Sequence, residues 1–211
     1  MLMVPQLFWD VDTQYDFMMP DGKLYVAGAE EIIPNLSQLT RFAREHRIPI
    51  WGSVDYHNPD DPEISDQPDF LKTFPLHCVK DTPGQQKIEA TSPLNPLWID
   101  SHLLEVQELH ELLNSHQGEV IFRKQRFDVF TNPNVIPALN FLGPQHIFVY
   151  GVALDVCDFY AVEGFLKMNR FQLTLIEDAT KPIHPDQAGK LLEKWQKQGV
   201  RIAKTEEIVR E

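Results

Sequence analysis

Ile147-Phe-Val-Tyr150 is an unbroken run of β-branched and aromatic residues, closed by Gly151. A run like this, without polar alternation, reads as a strand buried on both faces, and so as part of a sheet covered on two sides. Within the stretch His146-Ile-Phe-Val-Tyr-Gly-Val-Ala-Leu-Asp-Val-Cys157 the chain then turns tightly and opens a helix at the cysteine. Asp155 is a good N-cap for that helix. A thiol near a helix start meets partial positive charge and unpaired N–H groups, which lower its pKa and favour thiolate. The same N–H groups can hold an oxyanion. Taken by itself, Cys157 also reads as a small buried hydrophobe, the commoner fate of a lone cysteine.

The rest of the chain repeats the alternation. Leu7-Phe-Trp is a first, central strand that ends in Asp10-Val-Asp12. Ile32, Leu36, Leu39 and Ala43 are spaced for one face of a helix over 30–46. A second buried strand over 48–54 ends in Asp55-Tyr-His57. Further strands are predicted over 119–123, 173–176 and 200–203, and helices over 103–116, 134–142, 157–168 and 186–198. Lys124 falls just past a strand end. This order predicts a three-layer α/β/α fold in one domain over 1–211, with a doubly wound, mostly parallel sheet of about six strands.

Residues 58–102 break the pattern, holding seven of the chain's 16 prolines and no sustained period. A structureless segment this long in a compact domain is usually functional. It reads as a cover over the site, with a metal as a natural pin.

Bulk properties narrow the partners. A net charge of −12 argues against nucleic acid or an anionic membrane. No apolar run approaches membrane-spanning length, the first residues lack a basic leader, and two cysteines build no disulfide framework. The expectation is a soluble cytoplasmic protein acting on a small molecule, with a homo-oligomer as the default assembly.

In open α/β sheets, ligands bind beyond the carboxyl ends of the strands. Asp12, Lys124 and Cys157 all fall there. A carboxylate can take a thiol proton, a lysine can hold that carboxylate ionised, and the thiolate can attack a carbonyl carbon. Asp12 alone could equally cap the next element. Asp55, His57 and His77 offer one oxygen and two nitrogens, a set that suits zinc or iron with open positions. Each histidine alone also reads as an ordinary solvated or core imidazole.

Several segments, in order from about residue 7 to residue 180, resemble the isochorismatase-like cysteine hydrolases, and within them most the nicotinamidases. Asp12-Thr-Gln14-Tyr-Asp16-Phe17 is similar to the family's Asp-x-Gln-x-Asp-Phe opening, and Asp55-Tyr-His57 to its metal pair. Phe74-Pro-Leu-His77-Cys78-Val79, with Thr82 and Gly84, resembles the segment that gives the remaining histidine. Lys124 with Phe130 resembles the lysine segment, and Gly151-Val-Ala-Leu-Asp155-Val-Cys157 the nucleophile motif.

The resemblance implies Asp12 as base, Lys124 as its charged partner and Cys157 as nucleophile. It implies a cis peptide at Val152–Ala153 and an oxyanion hole from the N–H groups of Ala153 and Cys157. Asp55, His57 and His77 would hold a divalent ion, zinc first with iron or manganese as alternatives. That ion would hold the ring nitrogen of an amide substrate, with Phe17, Phe74, Phe130 and Val152 around the ring. Leu154 and Asp158 depart from the family's Thr and Val, and are expected to mark this chain's own substrate preference. The alternative activities within the family are a metal-free amidase for carbamoyl or ureido compounds and an isochorismatase-type hydrolase.

Overall fold

The computed structural model describes residues 2–210. Its frame is one sheet of seven strands, all parallel, in the order β3-β4-β2-β1-β5-β6-β7. The strands are β1 (Gln6–Val11), β2 (Ile50–Asp55), β3 (Leu97–Ile99), β4 (Val120–Lys124), β5 (His146–Val152), β6 (Gln172–Lys181) and β7 (Arg201–Ala203). The helices are α1 (Tyr15–Met18), α2 (Ile33–Glu45), α3 (Val106–Ser115), α4 (Val135–Leu142), α5 (Cys157–Met168), α6 (Pro185–Lys197) and α7 (Thr205–Ile208).

Strand alternation sorts the two cores. Leu7, Trp9 and Val11 of β1 face α3 to α6, where Leu109, Leu139, Phe165 and Trp195 meet them. Phe8 faces the other way, with Phe148 and Tyr150 of β5, against Leu36, Leu39 and Ala43 of α2. The Trp9 ring stacks on Phe122 at 5.7 Å and meets Phe165 edge-on at 5.1 Å. Such ring pairs add about 0.5–1.5 kcal/mol beyond the area they bury. Helix ends follow the local chemistry: Pro34 sits in the first turn of α2, and α4 stops at Gly143 in the left-handed conformation.

The sheet differs from the expected one in two places. Leu97–Ile99 adds a seventh strand inside the proline-rich segment, pairing with β4 at the sheet edge. β6 runs on past Ile176 to Lys181, because the register against β5 shifts between Val149 and Gly151 and pairing then resumes at Thr180. Irregularities of this kind commonly re-aim a strand beside a site. Gly151 is required there: its φ is +132°, and a Cβ would lie 2.0 Å from the Val11 carbonyl oxygen.

β1 lies between β2 and β5, the point where the strand order reverses. The carboxyl ends of β1, β2, β4 and β5 therefore converge on one crevice.

Candidate active site

Asp12 directly follows β1 with φ +46°, a left-handed conformation that aspartate tolerates better than most residues. Lys124, the last residue of β4, lies beside Asp55 in register across β2 and β4. Its Nζ is 2.8 Å from Asp12 Oδ2, bonded to Asp55 Oδ1, and 3.7 Å from Cys157 Sγ. All four side chains are buried, and a carboxylate oxygen of Asp12 lies within 4.8 Å of the sulfur. Burial alone would push Lys124 down, but Asp12 and Asp55 carry it well above the usual lysine range, so it stays charged.

The thiol behaves differently from the expectation drawn from its place at a helix start. Burial pushes the Cys157 thiol well up; Lys124 pulls it down, and Asp12 and Asp55 push it up further. Burial thus favours the thiol over the thiolate, and its chemistry calls for a base at hand. Asp155 is not the cap of α5 either. Val156 occupies that position, while the Asp155 carboxylate accepts the N–H groups of Ile183 and His184 at 2.7 and 2.8 Å.

A second cluster adjoins the first. Asp55, His57, Glu63 and His77 bring ligand atoms within 4.8 Å of one another, all buried. Nδ1 of His77 donates to the Pro75 carbonyl at 2.7 Å, leaving the Nε2 lone pair facing Asp55 Oδ2 at 3.6 Å. His57 Nε2 is 3.7 Å from the same oxygen, and its Nδ1 is 3.4 Å from Asp61. Among the described residues, neither oxygen of Glu63 nor either ring nitrogen of His57 has a hydrogen-bond partner. Burial and the Asp55 charge push the Glu63 carboxyl up to about 8. Buried polar atoms are rarely left so, and two imidazoles with two carboxylates suit zinc, manganese or iron. The donor set fits a divalent metal.

The segment that carries Glu63 and His77 is pinned by the protein itself. Gln14 Nε2 donates to the carbonyls of Asp55 and Gln85 at 2.8 and 2.6 Å, and its Oε1 accepts the Asp55 N–H at 2.6 Å. Asp16 accepts the Cys78 N–H at 2.7 Å, and a Cβ on Gly84 would lie 2.3 Å from that carboxylate. These side chains fasten the cover alongside the candidate metal cluster.

Cys157 and Ala153 line a cavity together with Asp55, Glu63 and His77. The Val152–Ala153 peptide is cis. The Ala153 carbonyl is engaged by the N–H groups of Val156 and Asp158, both at 3.0 Å. Phe17, Phe74 and Val152 form the walls with Leu24 and Ile183, and Phe127 meets Phe74 edge-on at 5.3 Å. Among the described residues that line the cavity there is no lysine or arginine.

With the crevice in place, a family model described as the Isochorismatase domain matches residues 10–207. The chain belongs to the isochorismatase family. It is 25% identical to a nicotinamidase of Saccharomyces cerevisiae over 211 aligned residues, covering 83% of this chain and 88% of that one. It is 23% identical to a nicotinamidase/pyrazinamidase of Mycobacterium tuberculosis over 201, covering 91% and 95%. A pyrazinamidase of Pyrococcus horikoshii, solved in complex with zinc, shares the fold with a TM-score of 0.74 at 23% identity, over 95% of this chain and 99% of that one.

This member of the isochorismatase family departs from the sequence reading in its cavity walls. Phe130 does not line the cavity. It packs against α5, 5.4 Å from Phe165, and a Cβ on Gly164 would lie 2.0 Å from its ring. Phe127, three residues earlier, takes the wall position. Leu154 is buried in the core shared with α5, and Asp158 bonds Thr180, so neither touches the cavity. Glu63, Leu24, Phe127, Val156 and Ile183 were not read from the sequence. Glu63 had one available signal: an acid inside the segment already assigned as the cover.

Proposed function

We propose that the protein hydrolyses the carboxamide of a neutral aromatic amide, with nicotinamide as the substrate, giving nicotinate and ammonia. Asp12 accepts the Sγ proton of Cys157 as the sulfur bonds to the amide carbon. The carbonyl electron pair moves to oxygen, where the N–H groups of Ala153 and Cys157 receive it. Collapse breaks the C–N bond, the proton passes from Asp12 to nitrogen, and ammonia leaves a thioester. Water, giving its proton to Asp12, attacks the thioester carbon; the C–S bond breaks and the thiol is restored. Lys124, 2.8 Å from Asp12 Oδ2, holds that carboxylate in place between these steps.

Asp55, His57, His77 and Glu63 would hold the divalent ion, zinc first with iron or manganese as alternatives. Bound there, it would supply a Lewis-acid contact for a ring nitrogen. Phe17, Phe74 and Val152 would hold the ring, with Phe127 in place of Phe130.

The observation that carries this reading is the buried thiol beside Asp12 and Lys124, at a cavity walled by Phe17, Phe74 and Val152 and bordered by the Asp55, His57, Glu63 and His77 cluster.

Ammonia release from nicotinamide, beside an N-carbamoyl amino acid, tests the substrate. Cys157→Ala is expected to abolish turnover with the circular dichroism spectrum retained. An active Cys157→Ala protein would refute the thiolate route.

A further inference from the structure

A second lysine–aspartate pair is buried behind the first. Lys87 Nζ is 3.0 Å from Asp10 Oδ2, with side-chain exposures of 0% and 4%. Lysine and aspartate are almost never fully buried without a partner, and a buried pair is not in itself a gain in stability. Burial pushes the Asp10 carboxyl up, and Lys87 pulls against it. Nothing in the proposed chemistry uses either group.

Their common contact is Thr13, the residue after the proposed base. The Thr13 hydroxyl lies 2.9 and 3.1 Å from the two Asp10 oxygens, 3.2 Å from Lys87 Nζ and 2.6 Å from the Thr91 hydroxyl. Lys87 also reaches the Asp10 carbonyl at 3.5 Å. The Thr13 carbonyl accepts the Ile88 N–H at 3.0 Å, and Gln14 bridges to Lys87 through the backbone. Asp12 thus sits between two residues, Asp10 and Thr13, that share one buried ionic cluster. Its own backbone is left-handed, a conformation that persists only where the surroundings hold it.

We propose that Asp10, Lys87 and Thr13 form a brace that positions Asp12 toward the Cys157 thiol, Asp10 and Lys87 acting through Thr13 without touching substrate. The brace rests on the reading of Asp12 as the base for Cys157. It also ties that base to the cover, because Lys87 belongs to the segment that follows His77.

The test uses the whole protein and a probe that needs no substrate. The rate of Cys157 alkylation by iodoacetamide is measured against pH for the parent, Asp12→Asn and the double variant Asp10→Leu/Lys87→Met. Removing both charges together leaves no orphaned ion, so the fold is expected to survive, as the melting temperature will report. The brace predicts alkylation of the double variant slowed about tenfold or more at neutral pH, with a profile moved toward that of Asp12→Asn. Asp10→Asn/Lys87→Gln, which keeps polar partners for Thr13, is expected to restore the parental profile. Should Asp10→Leu/Lys87→Met not fold, Thr13→Val cuts the central hydroxyl while leaving the ion pair, and is expected to show the same slowing. A folded double variant, or Thr13→Val in its place, that alkylates with the parental rate and profile overturns the proposal. Identical profiles for parent and Asp12→Asn would overturn the base assignment itself, and the brace with it.

Discussion

Asp158 follows Cys157 and is fully buried on α5, where the Thr180 hydroxyl donates to its Oδ2. Burial pushes its carboxyl from 3.8 up to about 8. The folded protein therefore keeps a proton that the unfolded chain gives up near pH 4. Stability from this group is fully present below the unfolded pKa and drains away as pH rises toward 8. The loss amounts to about 1.4 kcal/mol per pH unit, or about 4 kcal/mol by neutral pH. Asp158→Asn has the same shape, can still accept from Thr180 and carries no proton to lose. Its stability relative to the parent is expected to climb with pH at a slope of one proton and to level off above about pH 8. Urea unfolding of both proteins at several pH values between about 5 and 9 measures this directly. Glu63, which titrates in the same range, is common to both and cancels in the difference. Parallel stability curves would refute a neutral buried Asp158.

Three further outcomes are expected. Glu63→Gln keeps the side-chain shape but removes one anionic ligand, so metal content after dialysis should fall, with apparent affinity down about tenfold to a hundredfold; elemental analysis of the purified protein reads it. Ile183→Ala opens the wall that Asp155 fastens, and should raise kcat/KM for pyridine carboxamides with bulky ring substituents relative to nicotinamide, by about tenfold; an unchanged ratio would remove Ile183 from the specificity wall. Gly84→Ala drives a methyl into the Asp16 carboxylate, and should cost about 1–3 kcal/mol in thermal or urea unfolding while weakening turnover through His77.

The central strands were legible because β1, β2 and β5 are buried on both faces, and such strands declare themselves as apolar runs. Leu97–Ile99 was not, since three residues after a proline carry no period, and Trp98 stands partly exposed on this edge strand. The end of β6 was hidden by Glu177-Asp178, which reads as a turn. In the fold Asp178 points across to hold the Thr205 N–H and hydroxyl, both at 2.8 Å. Within the site, Asp12, Lys124 and Cys157 could be listed together because each ends a strand or opens a helix. That Asp55 would serve both Lys124 and the two histidines depends on register between β2 and β4, which no local pattern encodes. The cavity walls were least legible. Phe127 and Phe130 are equivalent as residue types, and only the packing of Phe130 against Gly164 decides which ring faces the ligand.

Gln14 and Asp16 fasten the cover to β1 and β2 by hydrogen bonds that involve no ion. The histidine-bearing segment is thus fastened by two side chains that are not themselves among the candidate ligands. Emptying this buried socket with a chelator and refilling it should be a repeatable exchange within a folded molecule, because these fastenings stay in place between one ion and the next.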